Sequence, residues 1–76
     1  MKIEVVGPGC SRCETLLENT KAAVARLGLA AEVAKVTDIA EITARGVLMT
    51  PALIVDGEVK SIGKVLTADQ IFALLT

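Results

Sequence analysis

Aromatic side chains are nearly missing from this chain. Phe72 stands alone, with no tryptophan and no tyrosine, so any core must be packed from aliphatic side chains. Histidine is absent and there are two cysteines, Cys10 and Cys13. Two cysteines without histidine cannot complete a tetrahedral zinc site in one chain. No basic patch interleaved with aromatics exists, which argues against nucleic-acid binding. Eight basic and nine acidic residues leave a net charge of −1. No apolar run approaches the ~20 residues needed to span a bilayer. The opening Met1-Lys2-Ile3-Glu4 enters a strand pattern at once and lacks the apolar core of a signal peptide. Linkers, internal repeats and low-complexity segments are missing as well. These absences lead to the expectation of a single cytoplasmic domain over residues 1–76, monomeric, with neither nucleic acid nor membrane as a partner.

What is present is aliphatic and strongly patterned. Hydrophobic residues make up 53% of the 76 positions, which suits a domain small enough to bury only about 60–65% of its unfolded surface. Residues 2–6 read as a buried strand, stopped by Gly7-Pro8-Gly9. A helix is expected from about Ser11 to Leu27, with Leu16, Leu17, Thr20, Val24 and Leu27 on one face. Ser11 and Glu14 have capping-box spacing, and Gly28 suits the residue past the helix end. Residues 31–36 alternate as a second strand. Asp38 then caps a short helix with Glu41 three residues on, Ile39 and Ile42 facing inward and Gly46 ending it. Ala52 to Val55 is a third strand, Asp56-Gly57 a hairpin signal and Glu58 to Ile62 its return. Thr67 and Gln70 start a last helix that is expected to bury Ile71, Leu74 and Leu75. The order is β-α-β-α-β-β-α. Two right-handed crossovers would make the first three strands parallel, with the hairpin adding an antiparallel edge. The fold class is therefore α/β, a four-stranded mixed sheet with helices on both faces.

The chemistry concentrates in Gly9-Cys10-Ser11-Arg12-Cys13, where the first strand runs into the first helix. A helix N-terminus offers unpaired N–H groups and the positive end of a dipole, both of which favour a thiolate. A Cys-x-x-Cys pair at such a junction reads first as a dithiol–disulfide site. Cys10 is the expected attacking thiol and Cys13, one turn inside and more buried, the resolving one. Arg12 has two readings, a charge that lowers the pKa of Cys10 or a solvated side chain that selects partners. Ser11 reads as a capping residue.

Two separated motifs, Gly9-Cys10-Ser11-Arg12-Cys13 and Thr50-Pro51-Ala52-Leu53-Ile54-Val55-Asp56-Gly57, make the chain resemble a minimal thioredoxin-fold protein of the glutaredoxin-like type. The resemblance runs over essentially the full length and is nearest to the small prokaryotic proteins named redox-active disulfide protein 2. It implies a thiol–disulfide oxidoreductase acting on protein disulfides, with no cofactor and no resident metal. It also implies a cis bond at Thr50–Pro51 beside the cysteines, with the Thr50 backbone pairing to substrate. From the residues alone, Pro51 only begins a strand. Glu4, six residues before Cys10, matches the buried acid of thioredoxins and is a possible general base toward Cys13; the alternation of Ile3 and Val5 instead points it to solvent beside Lys2.

The departures shape the partner expectation. Gly9 replaces the tryptophan of the thioredoxin motif, and Gly7 stands where glutaredoxins carry a basic residue. Ile62-Gly63-Lys64 keeps one glycine of the glutaredoxin pattern and lacks the acidic pair after it. Those positions hold glutathione in glutaredoxins, so a flavoprotein similar to thioredoxin reductase is the expected electron donor. Two rivals share the cysteines. A Cu(I) carrier of the ferredoxin-like type would use both thiolates, but such carriers place methionine where Pro8 stands and fold in the order β-α-β-β-α-β. A thiol-based redox sensor would have the same fold and pair.

Overall fold

The computed structural model describes residues 1–28 and 30–76. Seven elements follow in order: β1 (Lys2–Val6), α1 (Ser11–Leu27), β2 (Glu32–Val36), α2 (Ile39–Ala44), β3 (Ala52–Val55), β4 (Glu58–Ile62) and α3 (Ala68–Leu75). The sheet has the order β2-β1-β3-β4. This is the thioredoxin-like arrangement expected from the sequence, and its order differs from that of a ferredoxin-like metal carrier.

One expectation about the sheet is corrected. β1 and β2 are parallel, but β3 runs antiparallel to β1, as β4 does to β3. The cause lies in the connection. β2 ends beside the end of β1, where the Gly7 N–H donates to the Val36 carbonyl at 2.8 Å. β3 begins at the same end, with Ala52 opposite Val6. The chain stays at that end through α2, so β3 starts where β2 stopped and runs the other way.

Alternation along β1 and β3 sorts the core into two layers. Ile3 faces Val55 and Val5 faces Leu53 across the ladder, and these four pack with Leu16, Leu17 and Ala23 of α1 and Ile71 of α3. On the other face Val6, Ala52 and Ile54 meet Val36, Ile42 and Val47. Thr20, the one polar residue buried in α1, donates its hydroxyl to the Leu16 carbonyl at 2.7 Å and so enters the core satisfied. The β3–β4 turn places Asp56 at φ 49° and Gly57 at φ 81°, both positive as a two-residue type I′ hairpin requires.

The helix ends follow their capping residues with one exception, taken up with the site. Asp38 accepts from the Ala40 and Glu41 N–H groups. Thr67 and Gln70 form a reciprocal capping box, at 3.1 and 2.9 Å. Two apolar residues expected inside are outside. Ile39 is 68% exposed, because in a helix of under two turns only Ile42 reaches the sheet. Leu74 is 43% exposed, because α3 meets the core through Ile71 with Leu75 packed beside it. Among the described residues no helix is long and apolar enough to cross a membrane.

Leu53 tests this layering. It is fully buried at the centre of the α1/α3 layer, and Leu53→Ala should cost about 3 kcal/mol. In a domain of this size that lowers Tm by roughly 12–24 °C. A thermal melt showing a fall of less than about 4 °C would place Leu53 outside the load of the core.

Candidate active site

β1 delivers the chain to one end of the sheet, and Gly7-Pro8-Gly9 turns it into α1. Cys10 is the N-cap of that helix, with extended backbone (φ −70°, ψ 169°) and a carbonyl that accepts the Glu14 N–H at 3.0 Å. Capping by Ser11 is therefore corrected. The helix has already begun at Ser11, whose carbonyl accepts the Thr15 hydroxyl, and no side chain caps its first turn.

Three residues of helix bring Cys13 back to the face of Cys10. The two sulfurs lie 2.9 Å apart as free thiols, Cys10 exposed and Cys13 buried, as the sequence reading expected. Their acidities diverge. Cys10 is lowered from the ordinary thiol value, first by the hydrogen bond from the Cys13 thiol and then by the N–H groups of Cys13 and Arg12 at the helix start. Cys13 is raised, first by burial and then because its proton is shared with Cys10. One proton between two sulfurs thus leaves the charge on the exposed one.

The cis-proline loop approaches Cys13 from the side of Gly7. Thr50–Pro51 is the cis peptide bond that the resemblance implied, and Pro51 is fully buried. Gly7 marks where the loop meets the cysteines: a Cβ placed on it would lie 3.2 Å from Cys13 Cβ and 3.6 Å from Thr50 Cβ. Among the described residues, no backbone group donates to or accepts from the Thr50 backbone outside the regular elements. Leu48 and Met49, just before it, are largely exposed.

Arg12 has a position that neither sequence reading supplied. Its guanidinium donates to the Gly63 carbonyl at 2.9 Å, and the Gly63 N–H donates to the Pro51 carbonyl at 2.8 Å. The start of α1 is thereby tied to the proline loop through Gly63. The lowering of Cys10 comes first from the Cys13 thiol, and the smaller share of Arg12 comes through its backbone N–H, not its guanidinium.

Glu4 does not point to solvent. Its side chain is 12% exposed and its carboxylate accepts from Arg45 at 2.8 Å, on the sheet face that also carries Val6. That partner raises the pKa of Arg45. Among the described residues no group of three or more His, Cys, Asp or Glu side chains gathers.

The comparisons with known proteins agree with this geometry. A family profile described as Thioredoxin domain matches residues 1–76. The chain belongs to the thioredoxin domain family. A protein named Thioredoxin from Methanothermobacter thermautotrophicus is 38% identical over 76 residues, covering 100% of this chain and 99% of the other. A second protein of that name, from Methanocaldococcus jannaschii, is 41% identical over 69 residues, 91% of this chain and 79% of its own. At family level this supports thiol–disulfide oxidoreductase chemistry, and within this thioredoxin-family chain the close sulfur pair sits where that chemistry needs it.

Two further contacts escaped the sequence, that of Gly63, read there only as the glycine kept from the glutaredoxin pattern, with Arg12 and that of Arg45 with Glu4. Each joins residues 41 or more positions apart, and no local spacing announces such pairs.

Proposed function

We propose that this protein exchanges its dithiol with disulfides of protein substrates, Cys10 attacking and Cys13 resolving. The observation that carries the reading is the exposed Cys10 sulfur 2.9 Å from a buried Cys13 sulfur at a helix start. The Cys10 thiolate attacks one sulfur of the substrate disulfide, forming a mixed disulfide and releasing one substrate thiolate. Cys13, once deprotonated, attacks the Cys10 sulfur, forms the Cys10–Cys13 bond and releases the second thiolate. Two electrons pass from protein to substrate, and the released thiolates take up the protons.

The Thr50 backbone, without a partner among the described residues and beside the exposed Leu48 and Met49, is the edge just ahead of β3 to which an extended substrate segment adds. Arg12 holds that edge in place through Gly63 and Pro51. A part for Glu4 as proton acceptor for Cys13 requires its ion pair with Arg45 to open. The missing glutathione-holding residues favour a flavoprotein reductase as electron donor. A close cysteine pair read as catalytic and not structural suits the cytoplasm, where structural disulfides are rare.

A reduction assay tests the reading. With dithiothreitol as electron source, the wild type should accelerate reduction of an interchain protein disulfide, and Cys10→Ser should reduce that acceleration to the uncatalysed rate. Equal rates for the two proteins would sink it. Replacing dithiothreitol by millimolar glutathione with glutathione reductase should fail to sustain turnover; efficient turnover would remove the flavoprotein assignment.

A further inference from the structure

We propose that Gly7 is the positioning residue for Cys13, its side-chain-free surface forming the seat that holds the buried sulfur against Cys10. What the seated thiol does rests on the exchange reading above; the seat itself does not.

A Cβ built on Gly7 would overlap the Cys13 sulfur outright, while also lying 3.2 Å from Cys13 Cβ and 3.6 Å from Thr50 Cβ. Three segments converge on that point, the loop after β1, the first turn of α1 and the loop before Pro51. Each is held by its surroundings. The Gly7 N–H is fixed to the Val36 carbonyl at 2.8 Å, Cys13 is 4% exposed within its helix, and Thr50 adjoins the fully buried Pro51.

The usual reason for glycine does not apply here. Gly9, Gly28, Gly46, Gly57 and Gly63 have positive φ, whereas Gly7 does not, so its backbone conformation is open to any residue. Space is what excludes a side chain. With a methyl group at position 7, either the Cys13 sulfur rotates off the seat or the start of α1 lifts. Both carry the sulfur away from the 2.9 Å approach to Cys10, from which a covalent S–S bond of about 2.05 Å must close.

The affected step is ring closure. The Cys13 thiolate forms the bond to the Cys10 sulfur as the Cys10–substrate bond breaks and the substrate thiolate departs. Against dithiothreitol the same closure reads as protein dithiol plus oxidised dithiothreitol giving protein disulfide plus reduced dithiothreitol. Two electrons and two protons move.

The experiment compares Gly7→Ala, Cys13→Ala and the double variant with the wild type. In dithiothreitol redox buffers, Gly7→Ala should lower the equilibrium constant for Cys10–Cys13 closure by about tenfold or more, about 30 mV in potential. Melting of the reduced proteins supplies the readout that a general packing defect would not move. The fall in Tm caused by Gly7→Ala should shrink by roughly half or more once Cys13 is alanine, because two groups in contact couple. An unchanged closure constant, or the same fall in Tm in both backgrounds, overturns the proposal. If Gly7→Ala folds only in the Cys13→Ala background, the seat is established directly; if it folds in neither, the clash is not with the sulfur and the proposal fails. A wild type that forms no disulfide at all removes the exchange reading instead, and the melting cycle still decides the seat.

Discussion

Cys13→Ser should turn the protein into a covalent trap. Cys10 keeps its place at the start of α1, and serine keeps a hydrogen-bond donor near its sulfur, so attack on a substrate disulfide continues. Resolution does not, because an alcohol cannot carry out the second displacement at neutral pH. In the wild type the resolving sulfur waits 2.9 Å from Cys10, and such a preplaced group acts at an effective concentration far above any millimolar thiol in solution. Steady-state reduction of a protein disulfide should therefore fall by about a hundredfold or more. The mixed disulfide should accumulate as a covalent adduct on non-reducing gels, disappearing on addition of dithiothreitol. Wild-type turnover in Cys13→Ser would show that an external thiol, not Cys13, resolves the intermediate. No adduct, together with tight 1:1 Cu(I) binding by the wild type, would favour the metal-carrier reading.

Cys13→Ala should make Cys10 a poorer nucleophile near neutral pH. The first cause of the lowered Cys10 pKa is the hydrogen bond donated by the Cys13 thiol, with the N–H groups at the helix start contributing less. Deleting the sulfur removes the donor while leaving the helix. Alkylation follows the thiolate fraction, so in the wild type its rate rises with pH through a midpoint below that of an ordinary thiol. In Cys13→Ala that midpoint should move up, toward the ordinary value. In Cys13→Ser, where a hydroxyl donor remains, it should move less. Within the wild type, Cys10 should be alkylated at least about tenfold faster than Cys13 at pH 7, since Cys13 is buried and its pKa is raised. Mass spectrometry of the labelled peptides reads both results. First labelling at Cys13, or a midpoint that ignores its removal, would contradict this division of charge.

Much of this geometry is legible in local sequence because local chemistry decides it. Alternation in Ile3-Glu4-Val5-Val6 sets which residues face α1 and which face α2. Asp56-Gly57, Asp38 and the Thr67–Gln70 pair each mark a turn or helix start by a contact within a few residues. The two cysteines announce themselves through spacing and position, and the proline motif through its resemblance to a family. What escapes is what depends on distance. The direction of β3 follows from the end of the sheet to which the whole β2–β3 connection delivers the chain, not from any residue in β3. Ser11 loses the cap to Cys10 because the Cys10 carbonyl already accepts from Glu14, a one-residue difference no propensity resolves. Arg12 finds Gly63 across 51 positions, and Glu4 finds Arg45 across 41. Gly7 reads as a strand stop until the sulfur of Cys13 is seen resting on it.

The central claim is that Cys10 and Cys13 form one reversible two-electron couple in which the two thiols close on each other. Equilibrating the protein in a series of dithiothreitol redox buffers, quenching with acid and weighing the intact chain tests it most directly. The account predicts one transition between a dithiol and an intramolecular disulfide two mass units lighter, fitted by a two-electron curve at about 30 mV per tenfold change and independent of protein concentration. A chain that stays reduced throughout, or that oxidises only to concentration-dependent dimers, would contradict it.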